Sequence, residues 1–400
     1  MIRFIYYTGT FAWVGLVFSI IGRFAHLSWL VIAVLSIAFS TYLVTSMPLT
    51  AAPADGPLAS QLEAIRAKNN VPALGAALFT TDGLQEMAVA GFRKRGASVR
   101  VTDNDLWHLG SDTKAMTATL AGTFVAEGKL KWDDKVASFF PAIAADIPVD
   151  MRTITVRQVL SHTAGLKDNL DWASFANKGS LMEQRRLAVR QALATPAYPR
   201  GPYHYSNTDY VVIAAVLEKI SGQPWEKLMQ DRLFRPLGIT TAGFGGLGTP
   251  GQINQPWPHD DKGTPMPTNG PTIDNPPVMG PAGTVHMTIA DWSKFLTDQL
   301  RGAAGEKALL PKAIYEAIQS PVAKTGQDAS YGLGWGIVNR GWGGGKVLQH
   351  AGSNTMNYCV AWLAPNKKFG VLATCNQGGT TATKACDEAV SFLIQRYSGK

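Results

Sequence analysis

Three short segments of this chain carry residue types that cooperate in acyl transfer. The first is Gly110-Ser111-Asp112-Thr113-Lys114. Met116, Leu120 and Phe124 recur in four-residue steps, which predicts a helix over 111–127 with Ser111 at its start. A serine there points its oxygen toward unpaired backbone N–H groups and the positive end of the helix dipole. Lys114 falls on the same face one turn later. An ammonium beside a hydroxyl helps hold an alkoxide, and a desolvated neutral lysine can take the proton. The second segment is Tyr205-Ser206-Asn207. In extended backbone, residues i and i+2 point the same way, so Tyr205 and Asn207 can address one pocket. A phenol can relay a proton, and a carboxamide can orient a substrate carbonyl. The third is His350-Ala351-Gly352-Ser353, after a predicted strand ending at Gln349. A small-residue pair lets a strand backbone approach a substrate. The N–H of Ser353 could then complete an oxyanion hole with the N–H of Ser111.

Taken singly, each segment has a plainer reading. Ser111 can be an N-cap, Ser-Asn-Thr-Asp is strong capping sequence, and His350 can be a surface histidine at a strand end. Ser-x-x-Lys fixes two positions, so about one chance match is expected in a chain this long. Other chemistries find less support. The seven histidines are dispersed and no H-E-x-x-H occurs, which argues against a metal site. No Gly-x-Ser-x-Gly elbow is present. Gly341–Lys346 is glycine-rich but lacks Walker spacing, and reads as a hairpin turn.

The elements that must position these residues read as one α/β domain over 55–400. Helices are predicted at 57–69, 111–127, 207–221, 224–233, 288–300 and 380–397. Strands are predicted at 73–80, 86–92, 331–339, 346–350, 357–364 and 369–376. Residues 243–285 are rich in Gly and Pro and read as a long irregular crossing. Strands at both ends of the chain, with helices between, predict one sheet built from both termini beside a mostly helical region.

The net charge is +8, of which Arg3 and Arg23 supply all that residues 1–54 contribute. The rest is spread thinly over the domain. Its densest run, Arg93-Lys94-Arg95, reads as a solvated turn, and no basic stripe with stacking aromatics suggests nucleic acid. Cys359, Cys375 and Cys386 form no C-x-x-C pair and are expected to be buried free thiols. Residues 4–22 and 27–47 are uncharged apolar stretches, each long enough to span a bilayer. They read as a membrane hairpin, an uncleaved anchor, or a signal cleaved near Ala52-Pro53-Ala54. No Lys or Arg lies between residues 24 and 65, so Arg23 is expected inside and the domain outside the cytoplasm.

The order Ser-x-x-Lys, Tyr-x-Asn, His-x-Gly resembles the serine β-lactamase-related family, which includes class C β-lactamases, D,D-carboxypeptidases, D-aminopeptidases and carboxylesterases. The segments LWHLGSDTKAMTATLAGTFVAEGKLKWDDKVASFFP, ITVRQVLSHTAGL, GPYHYSNTDYVVIAAVLEKISGQPWEKLMQDRLFRPLGIT, GPAGTVHMTIADWSKFL and YGLGWGI extend the likeness over about residues 57–397. The resemblance implies a β-lactamase/transpeptidase-like fold with an antiparallel sheet, acyl-enzyme chemistry, and no metal or organic cofactor. It makes Ser111 the nucleophile, Lys114 its base and Tyr205 the second proton carrier. Asn207, His350, Gly352 and Ser353 become substrate-binding positions. Class C β-lactamases carry Lys-Thr-Gly at the third motif, whereas this chain has His-Ala-Gly. A fixed positive charge is thereby replaced by an imidazole of ordinary pKa ~6.5. The expected substrate is therefore a small ester, an amide or a D-amino-acid peptide. A β-lactamase, or a penicillin-binding-like sensor that acylates without turnover, is the alternative.

Overall fold

The computed structural model describes residues 58–398. The apolar stretches at 4–22 and 27–47, with the anchor and signal readings that rest on them, lie outside the described residues. Among the described residues, no helix is long and apolar enough to cross a membrane.

Eleven strands are described: β1 (Ala73–Thr80), β2 (Gly83–Gly91), β3 (Trp107–His108), β4 (Gly243–Phe244), β5 (Val285–Met287), β6 (Ala323–Lys324), β7 (Ala329–Tyr331), β8 (Gly336–Arg340), β9 (Gly345–Ser353), β10 (Tyr358–Ala364) and β11 (Phe369–Cys375). The α-helices are α1 (Leu58–Lys68), α2 (Thr113–Ala126), α3 (Val156–Leu160), α4 (Leu181–Ala194), α5 (Asn207–Ser221), α6 (Trp225–Met229), α7 (Gly280–Gly283), α8 (Ile289–Ala304), α9 (Lys312–Ile318) and α10 (Gly379–Ser398). Eight strands form one sheet in the order β2-β1-β11-β10-β9-β8-β7-β6. Its neighbours pair antiparallel, and β1 joins β11 in register from Leu74↔Cys375 to Thr80↔Phe369. Strands from both ends of the domain thus lie side by side within one sheet. A small sheet, β3-β5-β4, lies apart from it.

The pleat explains the layers. Along β10, Cys359, Ala361 and Leu363 join one apolar cluster, while Tyr358, Val360, Trp362 and Ala364 join another. Successive side chains point to opposite faces, so a strand that is apolar at both sets of positions must be covered on both. Leu58 and Leu62 of α1 and Ala382, Ala385, Ala389 and Leu393 of α10 cover one face. The other face carries α8 and the helical region around α2 and α5. His350 lies two residues from Leu348, which shares the cluster of Cys359, Ala361 and Leu363, and so on the same face, so His350 faces the helical region.

Three readings change. The strand expected at 331–339 is broken at residues 332–335 into β7 and β8, because Gly334, at φ +83°, packs its backbone against Ala115 and Lys114 of α2. The strand expected to end at Gln349 runs on through the whole third motif to Ser353. The Arg93–Arg95 run is a clamp rather than a solvated turn. Arg93 pairs with buried Asp105 at 2.5 Å, Lys94 lies 3.5 Å from the Trp257 ring centre, and Arg95 bonds Gly263 O and Asn70 Oδ1. All three cysteines are buried and free, and Cys359 faces Thr374 rather than Cys375 across the strands.

Candidate active site

The nucleophile segment begins where β3 ends. Gly110 takes φ +45° and opens a single 3₁₀ turn, Gly110–Asp112, that runs into α2. A Cβ at Gly110 would stand 2.4 Å from Ser353 N, and one at Gly352 would stand 2.0 Å from Leu109 O. Only glycine at both positions allows the turn and the end of β9 to touch backbone to backbone. The turn is held from below as well. Cys359 Sγ lies 3.1 Å from Leu109 O and 3.2 Å from Asp112 Oδ2.

Ser111 does not cap α2. No side chain caps that helix, and Ser111 Oγ instead lies 3.1 Å from Lys114 Nζ. Residues Thr113 through Phe124 of α2 are all buried, so Lys114 is fully enclosed. Its Nζ also donates to Asn207 Oδ1 at 2.7 Å and to Ala282 O, in α7, at 2.8 Å. Burial pushes the Lys114 ammonium well below the usual lysine range, against the opposing pull of Asp209 and Asp112. A neutral lysine has two N–H groups and one lone pair. With Asn207 and Ala282 accepting two N–H groups, the deprotonated form of Lys114 has its lone pair to turn toward Ser111 Oγ, 3.1 Å away.

Tyr205 meets the serine from the other side. Its hydroxyl faces Ser111, and its ring centre lies 4.7 Å from Lys114 Nζ. Burial raises the phenol above its ordinary range, so it stays protonated at neutral pH. Ser206 between the two motif residues caps α5, accepting from Asp209 N at 3.2 Å. The capping and functional readings of Tyr-Ser-Asn therefore hold together. Asn207 Nδ2 donates to Asn169 Oδ1 at 2.9 Å, which orients the amide with its oxygen on Lys114.

His350 is buried, not on the surface. Its Nδ1 lies 2.9 Å from Ala351 O and its Nε2 lies 3.1 Å from Tyr331 Oη. Nδ1–H donates to the carbonyl, and Nε2 accepts from the phenol. Burial first, and Lys114 second, hold the imidazole down to about 3. Ser353 is exposed, with its Oγ donating to Asn357 O at 2.8 Å.

The structure thus brings Ser111, Lys114, Tyr205 and Asn207 into one cluster, with Gly352 and Ser353 against its turn. It adds residues with no role in the sequence reading. His162, at φ +62°, lies under Tyr205 with ring centres 4.6 Å apart, and its Nδ1 is 2.7 Å from Asp209 Oδ2. Burial lowers the imidazole and raises the carboxyl. Asp209 sits in the Ser-Asn-Thr-Asp stretch, where capping alone explains it, and a histidine in a quoted segment gives no role by itself. The Ala282 acceptor is a backbone carbonyl, which no residue type marks. Among the described residues, no group of three His, Cys, Asp or Glu side chains is placed to hold a metal.

The Beta-lactamase family model matches residues 58–393. Penicillin-binding protein 4 of Amycolatopsis lactamdurans is 26% identical over 361 residues, covering 85% of this chain and 89% of that protein. A putative D-alanyl-D-alanine carboxypeptidase of Escherichia coli K12 is 31% identical over 157 residues, or 37% of this chain and 36% of that protein. The octameric penicillin-binding protein homologue from Pyrococcus abyssi shares the fold, with a TM-score of 0.68 at 22% identity over 84% of this chain and 77% of that one. SurE with D-Leu gives a TM-score of 0.67 at 26% identity, over 84% and 74%. A match that reaches from α1 into α10 shows that this chain belongs to the Beta-lactamase family.

Proposed function

We propose that this serine hydrolase opens an ester or amide bond by acylating Ser111, and that its substrate is a D-amino-acid peptide or a small ester met outside the cytoplasm. The observation that carries the mechanism is the enclosed Lys114, whose Nζ lies 3.1 Å from Ser111 Oγ while it donates to Asn207 Oδ1 and Ala282 O. Lys114 Nζ takes the hydroxyl proton as Oγ bonds to the carbonyl carbon. The oxygen of that carbonyl gains the electron pair and is met by the N–H groups of Ser111 and Ser353. The pair then returns, the bond to the leaving oxygen or nitrogen breaks, and Tyr205 passes a proton to the leaving atom. Lys114 hands its proton on to Tyr205, which restores both groups; water then attacks the acyl-enzyme with Lys114 taking its proton, and that proton returns to Ser111 Oγ as the acid leaves. No step requires a cofactor.

The substrate class rests on the third motif. Both ring nitrogens of His350 are engaged and the ring is neutral at pH 7, so this position offers no fixed cation to a substrate carboxylate. His350 supports Gly352 and Ser353 through the strand, while Asn207 keeps one amide hydrogen for the substrate. That absence of charge favours esters, amides and peptides over efficient β-lactam turnover. The D-amino-acid choice draws on SurE with D-Leu and on the relative named for D-alanyl-D-alanine. The extracytoplasmic placement draws on the charge asymmetry around Arg23, with the chain anchored in the membrane if the N-terminal segment is uncleaved. The test profiles wild type and Ser111→Ala on p-nitrophenyl esters, D-amino-acid amides, D-Ala-D-Ala peptides and nitrocefin. Wild type should turn over an ester or D-amino-acid substrate and the variant none. Equal rates in both proteins would sink the nucleophile, and nitrocefin as the best substrate would sink the substrate class. A fluorescent penicillin label that persists through a chase would favour a sensor.

A further inference from the structure

We propose that Asp274, on the irregular crossing between β4 and α7, is a positioning residue that sets the distance between the turn of Ser111 and the end of β9 at Ser353, the two places that bear the oxyanion donors. The inference rests on the reading of Ser111 as nucleophile, with the N–H groups of Ser111 and Ser353 facing the carbonyl oxygen.

The connection starts at a backbone N–H beside Ser111 and runs on through three side chains. His108, the last residue of β3, accepts the Gly110 N–H at Nδ1, at 3.1 Å. That acceptor role leaves the ring proton on Nε2, which donates to Asp274 Oδ2 at 2.8 Å. The other carboxylate oxygen, Oδ1, accepts from Asn354 Nδ2 at 2.8 Å. Asn354 directly follows Ser353. Its own oxygen accepts from Met356 N at 3.2 Å and from Asn357 Nδ2 at 3.1 Å, which ties down the loop joining β9 to β10. One carboxylate therefore holds the residue before Ser111 at one end and the residue after Ser353 at the other.

The chain is dry. The side chains of His108 and Asp274 are each 1% exposed, and Asn354 is buried. Water does not substitute for a missing partner there, so loss of either bond leaves a buried donor unsatisfied. Asp is also the residue type the site demands. Both neighbours donate, and only an ionised carboxyl accepts at both oxygens. An asparagine of the same shape accepts once and turns an N–H toward a second donor. Oxyanion donors act only within a narrow distance of the developing charge, so a small shift between the two places weakens the transition state more than substrate binding.

The experiment uses the full chain and a fluorophosphonate that labels the active serine, with kinact and KI measured separately. Asp274→Asn, Asp274→Ala and Asn354→Ala are compared with wild type and with Ser111→Ala. The expected result is a fall in kinact of about 10- to 100-fold in each of the three, with KI within about twofold. The double variant Asp274→Ala/Asn354→Ala should lose little beyond Asp274→Ala. Unchanged kinact in a folded Asp274→Asn or Asn354→Ala protein, or a rise in KI alone, overturns the proposal. Should the Asp274 variants not fold, Asn354→Ala decides it. Labelling of Ser111→Ala at the wild-type rate would instead refute the nucleophile, which separates the two failures.

Discussion

The two faces of the large sheet are built to different rules. The face under α1 and α10 is filled with Leu, Val, Ala and aromatic side chains, and Asp387 is the buried acid that intrudes on it. The face toward α2 and α5 buries Lys114, His162, Asp209, Asp112, His108 and His350 among its apolar residues. The first face gains stability from area removed from water. The second gives some of that up to hold charged or polar groups in a dry site, where each is worth more to a reaction and more costly if unpaired. The comparison teaches that a substitution on one face should move stability and on the other rate.

The largest break comes at Lys114. Lys114→Met should lower kcat by about 10³-fold or more, since it removes the base, while the melting temperature does not fall. Steady-state rates beside a thermal melt check both halves, and a rate within tenfold of wild type would refute the assignment. The converse substitution is Trp362→Ala, on β10 and 1% exposed. It should cost about 3–5 kcal/mol in denaturant unfolding and leave kcat/KM of the folded protein within about twofold.

The faces should also fail at opposite ends of the pH scale. Burial without a hydrogen-bond partner lifts the Asp387 carboxyl to about 7. Its folded pKa lies above its unfolded one, so its penalty is full above pH 7 and gone below pH 4. Asp387→Leu should therefore stabilise the protein at pH 8, by on the order of 2–4 kcal/mol, and less at pH 5. On the other face His350 is held down to about 3. Its unfolded form takes up a proton below ~6.5 that the folded form refuses, so stability falls as pH drops through that range. His350→Gln should remove this share, about 1 kcal/mol between pH 6.5 and 5.5, read from urea melts at the two pH values. A His350→Gln protein with the wild-type slope would remove His350 from the account.

Legibility in the sequence follows the same division. The apolar face was readable because period-2 and period-3.6 patterns register burial directly, so α1, β1, β10, β11 and α10 fall within one residue of expectation. The helix α4 was not foreseen, since its Arg185 and Glu183 mask the pattern. Arg185 is in fact buried against Glu218 and Glu226. At the site, residue type and spacing offered Ser111, Lys114, Tyr205 and Asn207 as candidates, and the family resemblance supplied their roles. His162, Asp209, His108 and Asp274 were not legible, because each acts through a partner far along the chain or through a backbone group. The burial of His350 was not legible for the same reason. Its burial depends on Tyr331 from another strand.

The pairing of β1 with β11 has a consequence for how the enzyme comes into being. Leu74 waits for Cys375, so the first strands emerge from the ribosome long before the strand that flanks them exists. Contacts of such separation form late and slowly. The hydrophobic edge of β1 stands unguarded in the interval, a hazard for self-association. Catalytic competence follows the same clock. The turn carrying Ser111 leans on the end of β9, so a nascent chain has its nucleophile early and its oxyanion site only after β9 has emerged.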